Sequence, residues 1–302
     1  MEKRQSFLLV LAASFLGLLL YFATTLPKKR EENPLKVFSR DVVIILTGDV
    51  MLGRSVMTKS LDLKDPAYPF AKVGDILRSA DIVFINLENL FVSDCPRSNS
   101  GFVFCADPKM IQGLVFAGVD IVNLANNHSK DYGEKGLKET TKLLKDRGIE
   151  TTGLGNLAIK KVKGIKFGFL GFNFVSKAPK DSDIKLVLDS DKQVDVLIIG
   201  VHWGEEYRDK ANDKQCLWAF KLVQSGADIV IGYHPHWVQN EERIDGKPVY
   251  YSLGNFVFDQ MGSEKTRKGL ILRATFRNGQ LIKEEKLLTY MSDWGQPEFV
   301  QY

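Results

Sequence analysis

The 302-residue chain carries 41 Lys and Arg against 37 Asp and Glu, for a net charge of +4, with 44% hydrophobic and 26% charged residues. That content suffices for one α/β domain of about 250 residues plus a short appendage. The charge is mild, much of it in runs such as Lys28, Lys29 and Arg30, and no recognisable module accompanies it, so nucleic acid is excluded as a partner.

Residues 1–5 read as a short tail and 6–26 as a transmembrane signal anchor: nothing from Ser6 to Leu26 is charged, enough to cross a bilayer. A cleavable signal peptide fits less well, because the run exceeds a usual apolar core and ends without an A-x-A site. Basic residues on both sides (Lys3 and Arg4; Lys28, Lys29 and Arg30) leave the orientation rule indecisive, but either reading exports the bulk of the chain. Residues 27–40 form a polar juxtamembrane linker, and 41–302 one domain.

Within that domain Val42–Thr47, Ile82–Leu87 and Val119–Leu124 are apolar runs typical of strands buried on both faces. Helical spacing in Val73–Ser79 and Pro108–Gly118 separates them, giving β-α-β-α-β and a largely parallel sheet. Gly136–Arg147 is a helix stopped by Gly148, with Asp131 expected as its N-cap. Strands are expected at Ala158–Val162, Lys166–Phe172, Val194–Val201, Ala227–Ile231, Pro248–Leu253 and Gly269–Phe276. One clear helix, Asp213–Ser225, interrupts them. Asn278-Gly279 marks a hairpin into Leu281–Leu287. So many strands with helices outside predict a four-layer αββα sandwich. Cys95 and Cys105 flank a polar loop that a disulfide could close in an oxidising compartment, or they remain thiols; Cys216 reads as a small buried hydrophobe.

All four histidines lie in short motifs near strand ends, with Asp49 and Glu88 in the same kind of position. Asp49 follows the first strand, Glu88 the second, and Asn127 with His128 the third. His202 and the pair His234 and His236 follow two strands of the second half. Open α/β sheets place ligands at such carboxyl ends, and in extended backbone His234 and His236 face the same way. Taken singly each residue has an ordinary explanation; together they form a ligand set for one or two divalent cations, Mn, Zn or Fe alike. Arg54 is a fork donor suited to an anionic substrate group. Asn255 is either a hydrogen-bonding residue of the site, substrate included, or a turn residue after Gly254. Trp203, Trp237 and Tyr207 line a groove or simply wall the pocket, and Glu205 and Glu206 read as a solvated loop pair.

The motifs G-D-V-M-L-G-R, N-L-E-N, N-L-A-N-N-H-S-K-D-Y-G, G-V-H-W-G-E-E-Y, G-Y-H-P-H-W-V-Q and Y-S-L-G-N-F-V-F-D, in this order, resemble the bacterial CapA capsule-biosynthesis family. That family is associated with poly-γ-glutamate synthesis and export and resembles calcineurin-like metallophosphoesterases in fold. The resemblance implies that Asp49 and His236 hold a first metal, Glu88 bridges, and Asn127, His202 and His234 hold a second. It makes His128 the proton donor to a leaving group. Three departures stand out. Met51 occupies the place of a metal-binding histidine, the bridging acid is a glutamate, and Tyr233, where relatives carry a further histidine, is expected to pack at the rim. The first metal thereby lacks a ligand. The implied protein is a membrane-anchored, extracytoplasmic metalloprotein of capsule or poly-γ-glutamate assembly, with hydrolytic or transfer chemistry on an anionic polymer. The alternatives are a phosphoesterase acting on a phosphorylated envelope substrate, and a non-catalytic partner of membrane synthase subunits.

Overall fold

Residues 41–300 are described by the computed structural model, and the buried β-branched runs become strands of two large sheets. In chain order the strands begin with β1 (Val42–Val50), β2 (Ile82–Leu87), a short pair β3 (Leu90–Phe91) and β4 (Cys105–Ala106), β5 (Ile121–Asn123) and β6 (Glu150–Thr152). Next come β7 (Ala158–Val162), β8 (Ile165–Asn173), β9 (Val196–His202), β10 (Ile229–Tyr233) and β11 (Glu241–Ile244). The last are β12 (Lys247–Tyr250), β13 (Asn255–Val257), β14 (Lys268–Arg277), β15 (Gln280–Asp293) and β16 (Gln296–Phe299). The helices are α1 (Arg54–Asp62), α2 (Gly74–Arg78), α3 (Ile111–Phe116), α4 (Gly133–Asp146), α5 (Asp181–Asp191), α6 (Asp213–Gln224) and α7 (Glu264–Arg267).

The first sheet runs β16-β15-β14-β1-β2-β5-β6, with β13 also paired to β1. Its β1, β2, β5 and β6 are parallel; the β14–β16 meander is antiparallel. The second sheet runs β11-β12-β10-β9-β8-β7, parallel from β8 to β12 and antiparallel at both edges. Inward-facing residues of both sheets, among them Ile44, Phe84, Phe169, Ile198 and Ile231, form one apolar cluster between them. On its other face the first sheet meets Val56, Leu77, Leu114 and Leu137 of helices α1 to α4. The second sheet meets Val187 of α5 with Ala219 and Leu222 of α6. The layers are therefore helix, sheet, sheet, helix, as the strand count predicts.

Several boundaries move, because hydrogen bonding to neighbours decides where a strand stops. β1 runs three residues beyond Thr47 and so contains Asp49, which pairs with Asn86 of β2 and Asn255 of β13. β9 ends on His202 itself, and the expected Pro108–Gly118 helix splits into a short 3-10 turn, Pro108–Met110, followed by α3. Three helices escaped the sequence reading: α1, α5 and the four-residue α7. α1 mixes polar and apolar residues without a capping side chain, and α5 is acidic with little apolar periodicity. The Asn278-Gly279 hairpin forms as expected, both residues in the left-handed region. Cys95 and Cys105 are disulfide-bonded, and Cys216 is half-buried.

Tyr233 corrects an expectation. It is fully buried between the sheets, not at the rim, because it continues the inward-facing alternation Ile229, Ile231, Tyr233 of β10. The tail 1–5, the anchor 6–26 and the linker 27–40 lie outside the described residues. Among the described residues no helix is long and apolar enough to cross a membrane.

Candidate metal centre

The parallel strands β1, β2, β5, β9 and β10 bring their carboxyl ends to one crevice between the sheets. Gly48 is what lets the crevice close. A Cβ there would lie 2.0 Å from the carbonyl oxygen of Gly254, so only glycine admits the 253–255 segment beside β1. Asp49 N–H then donates to Gly254 O at 2.9 Å, which fixes Asp49 and Asn255 side by side.

Asp49, Glu88 and His202 each offer a ligand atom, all within 4.8 Å of one another, and all three are at most 1% exposed. Glu206, His234 and His236 form a second such group. The groups adjoin: His236 Nδ1 is 3.6 Å from Asp49 Oδ2, and the rings of His202 and His234 are 4.8 Å apart. This grouping differs from the one the resemblance implies, since His234 falls with His236 as well as near His202. Among the described residues the only ion-pair partners of the two acids are histidines.

Burial governs the electrostatics. It raises the Asp49 carboxyl to about 6, partly offset by a hydrogen bond with Glu88. Burial, then the Asp49 charge, pushes Glu88 well above the usual carboxylate range. Burial likewise lowers His234 to about 4 and His236 to about 3, and His202 well below its usual value. Neutral imidazoles are what cations bind, and two buried acids without an Arg or Lys partner are a poor arrangement for any other purpose. The residues present therefore fit a divalent-cation centre.

The hydrogen bonds decide which nitrogen is free on two of the rings, His236 and His128. Asn255 donates through Nδ2 to Thr266 O at 3.0 Å and Gln260 Oε1 at 3.1 Å, which turns its Oδ1 toward His236 Nδ1 at 2.8 Å. His236 Nδ1 must then carry the hydrogen, leaving Nε2 as the free lone pair. His202 Nε2 lies 2.8 Å from Asn127 Oδ1, a separation that also suits two adjacent ligands of one ion. Asn127 Nδ2 lies 3.0 Å from His128 Nε2, and His128 Nδ1 lies 2.8 Å from Asp131 Oδ2. A carboxylate only accepts, so His128 Nδ1 donates to it and Nε2 faces the centre.

The expected substrate contacts divide. Trp203 is 2% exposed and donates to Tyr251 O, while Asn255 is 1% exposed with its amide engaged as above. Trp237 is half-buried near Tyr207, with Lys265 over its ring, and those two rings do form a rim. The Arg54 guanidinium meets both oxygens of Asp259 and donates to Gly101 O at 2.7 Å. A substrate anion would have to displace these partners.

Sequence reasoning missed three residues. Asn86 donates through Nδ2 to Asp49 at 2.9 Å and to Glu88 at 3.1 Å, and accepts from Asn123 at 3.0 Å. Its place two residues before Glu88, on the same strand face, was the available signal. Asp131 was expected to cap α4. Instead Tyr132 precedes that helix with no capping side chain, and Asp131 binds His128 and the Phe104 N–H. The three-residue spacing from His128 could have suggested this. Asp259, 205 positions from Arg54, left no local signal. Backbone strain also gathers here: Arg54, Tyr207, His234 and His236 have positive φ, a conformation that bulky residues keep only where surroundings impose it.

A family profile described as "Bacterial capsule synthesis protein PGA_cap" matches residues 43–260. The chain is 29% identical to the capsule biosynthesis protein CapA of Bacillus anthracis, across 93% of this chain and 75% of that one. It is 30% identical to the PGA biosynthesis protein CapA of Bacillus subtilis, across 84% and 73%. A crystal structure of a hypothetical protein from Thermus thermophilus shares the fold, with a TM-score of 0.53, 15% identity, and coverage of 82% of this chain and 98% of that one.

Proposed function

Because the chain belongs to the bacterial capsule synthesis family PGA_cap, we propose that it serves assembly or export of an anionic capsular polymer of the poly-γ-glutamate type, as a metal-dependent hydrolase or transferase. The observation that carries this reading is the buried set Asp49, Glu88, His202, His234 and His236 facing one crevice, with Asn127 beside it. Those residues would hold one or two divalent cations, Mn, Zn or Fe. When bound, such ions make a nucleophilic hydroxide available at neutral pH and stabilise charge on the attacked centre.

The chain's own groups do the rest. His128, held by Asp131, keeps its Nε2 toward the crevice; with both ring nitrogens protonated it gives the Nε2 proton to the departing group and is left as the neutral ring that donates through Nδ1 to Asp131. The Phe104 ring stacks on His128 at 3.8 Å between centroids and shields that face from water. Beside Asn127 opens a cleft of about 770 Å³ lined by Lys177 and Lys180 along with Asp183 and the Lys130–Glu134 ion pair, and the two lysines suit a carboxylate-bearing chain. The disulfide agrees with an oxidising, extracytoplasmic location, and residues 6–26 supply the anchor that keeps the domain at the membrane.

The test is turnover by the purified full chain loaded with Mn²⁺ or Zn²⁺, paired with capsule formation by cells carrying His128→Ala. Release of fragments from γ-linked glutamyl polymer, lost in the variant, is expected. Turnover of generic phosphoesters alone would favour an envelope phosphoesterase. No turnover of either substrate, together with normal capsule in the variant, would make the protein a non-catalytic partner of the synthase.

A further inference from the structure

The side of the centre nearest His236 lacks a ligand if only the first motif is counted. Met51 stands where a histidine is expected, is fully buried in the outer core, and its Sδ takes the Gly53 N–H at 3.0 Å. It cannot turn toward a cation without leaving that core. Sequence alone suggests a solvated pair at Glu205 and Glu206, and the structure separates them. Glu205 pairs with Arg208 at 3.3 Å, whereas among the described residues Glu206 pairs with no Lys or Arg. Its carboxylate instead lies with His234 and His236, their ligand atoms within 4.8 Å of one another. Donors around a four-coordinate ion, each at about 2.1 Å, stand about 3.4 Å apart, so the exposed Glu206 side chain has to draw in toward the two imidazoles to close the three onto a cation.

The loop that carries Glu206 is built for this approach. Gly204 and Tyr207 both have positive φ, and so do His234 and His236 across from them. Tyr207 N–H donates to Pro235 O at 2.8 Å, between the two histidines. Gln260 Nε2 donates to the Tyr207 hydroxyl at 3.2 Å, and Gln239 Nε2 to Arg208 O at 3.1 Å. Strain is thus held on both sides of one small space by hydrogen bonds that lock the loop to the H-P-H turn. Free Nε2 on His236 completes the donor set.

We infer that Glu206 is a metal ligand, closing a Glu-His-His cation site with His234 and His236 that replaces the missing first-motif histidine. The inference rests on the metal-dependent reading above and deepens it. It makes the centre truly two-sited, the ion on the His236 side gaining from the β9–α6 loop the ligand that the first motif on β1 lacks.

The experiment uses the full chain in detergent, stripped with chelator and reloaded with Mn²⁺. Metal per chain is read by elemental analysis and affinities by calorimetry. The parent is expected to bind about two ions per chain. Because loss of outer-shell partners alone costs 10–100-fold, Glu206→Gln should weaken one site at least ~100-fold and leave the other intact. Glu205→Gln should match the parent. An exposed Glu→Gln change preserves shape, and unchanged melting of the metal-free variant would verify that the fold survives. Parental stoichiometry and affinity in Glu206→Gln would overturn the inference and leave the metal-dependent reading standing. A parent that binds only one ion, retained by the variant, would also overturn it. A parent that binds none would sink the metal-dependent reading itself.

Discussion

Asn86→Ala tests whether the carboxylates are aimed by the protein before any ion arrives. Asn86 is fully buried, and its Nδ2 donates to Asp49 at 2.9 Å and Glu88 at 3.1 Å. Its Oδ1 accepts from Asn123 at 3.0 Å and more distantly from Asn126 at 3.5 Å. Truncation leaves Asn123 Nδ2 without an acceptor, whereas Asn126 keeps Leu87 O at 2.7 Å and Asp49 keeps the His234 N–H. One orphaned donor and one carboxyl stripped of its amide, at about 1–3 kcal/mol each, give a loss of about 2–6 kcal/mol in the metal-free protein. Freed from their common donor, the two acids lose their fixed aim, and metal affinity should fall ~10–100-fold. Urea unfolding of the chelated protein reads the first quantity, and calorimetric Mn²⁺ titration the second. Affinity within about threefold of the parent would refute the idea that Asn86 orients the ligands, even if stability dropped.

Asp131→Asn should leave metal content unchanged while cutting turnover by about 10²–10⁴-fold, since His128 loses the charged, accept-only partner that fixes its tautomer and stabilises the protonated ring; reduced metal binding would argue that Asp131 shapes the ligands instead. Asp49, raised from 3.8 to about 6, stabilises the metal-free fold below 3.8 and loses that contribution as pH rises through about 6. His234 and His236, lowered to about 4 and about 3, act oppositely, losing stability as pH falls below 6.5, but they stay neutral near pH 6 with or without an ion. The melting-temperature gap between loaded and chelated protein should therefore widen as pH rises through about 6, and a gap that stays flat would contradict this. Replacing Cys95 and Cys105 with serine removes closure across 10 positions and should cost about 3 kcal/mol. Hydrogen exchange should rise first around Phe104, and a uniform rise across the domain would mean that the bond supports the whole fold.

The parallel sheets, the hairpin at Asn278-Gly279 and the convergence of Asp49, Glu88, His202, His234 and His236 on one crevice were all legible from residue order. Continuous apolar runs mark strands covered on both faces, and a parallel strand delivers whatever follows it to one sheet end. These are local patterns, and local patterns survive in a sequence. What only the tertiary structure decided is who faces whom. Asp259 meets Arg54 and Asn86 lies beneath two acids, through contacts spanning 205 and 37 positions, which no window of sequence can contain. Glu206 could be told from Glu205 only once the β9–α6 loop was seen to fold over the two histidines. A side chain's direction in a loop depends on the φ/ψ its partners impose, and those partners come from elsewhere in the chain.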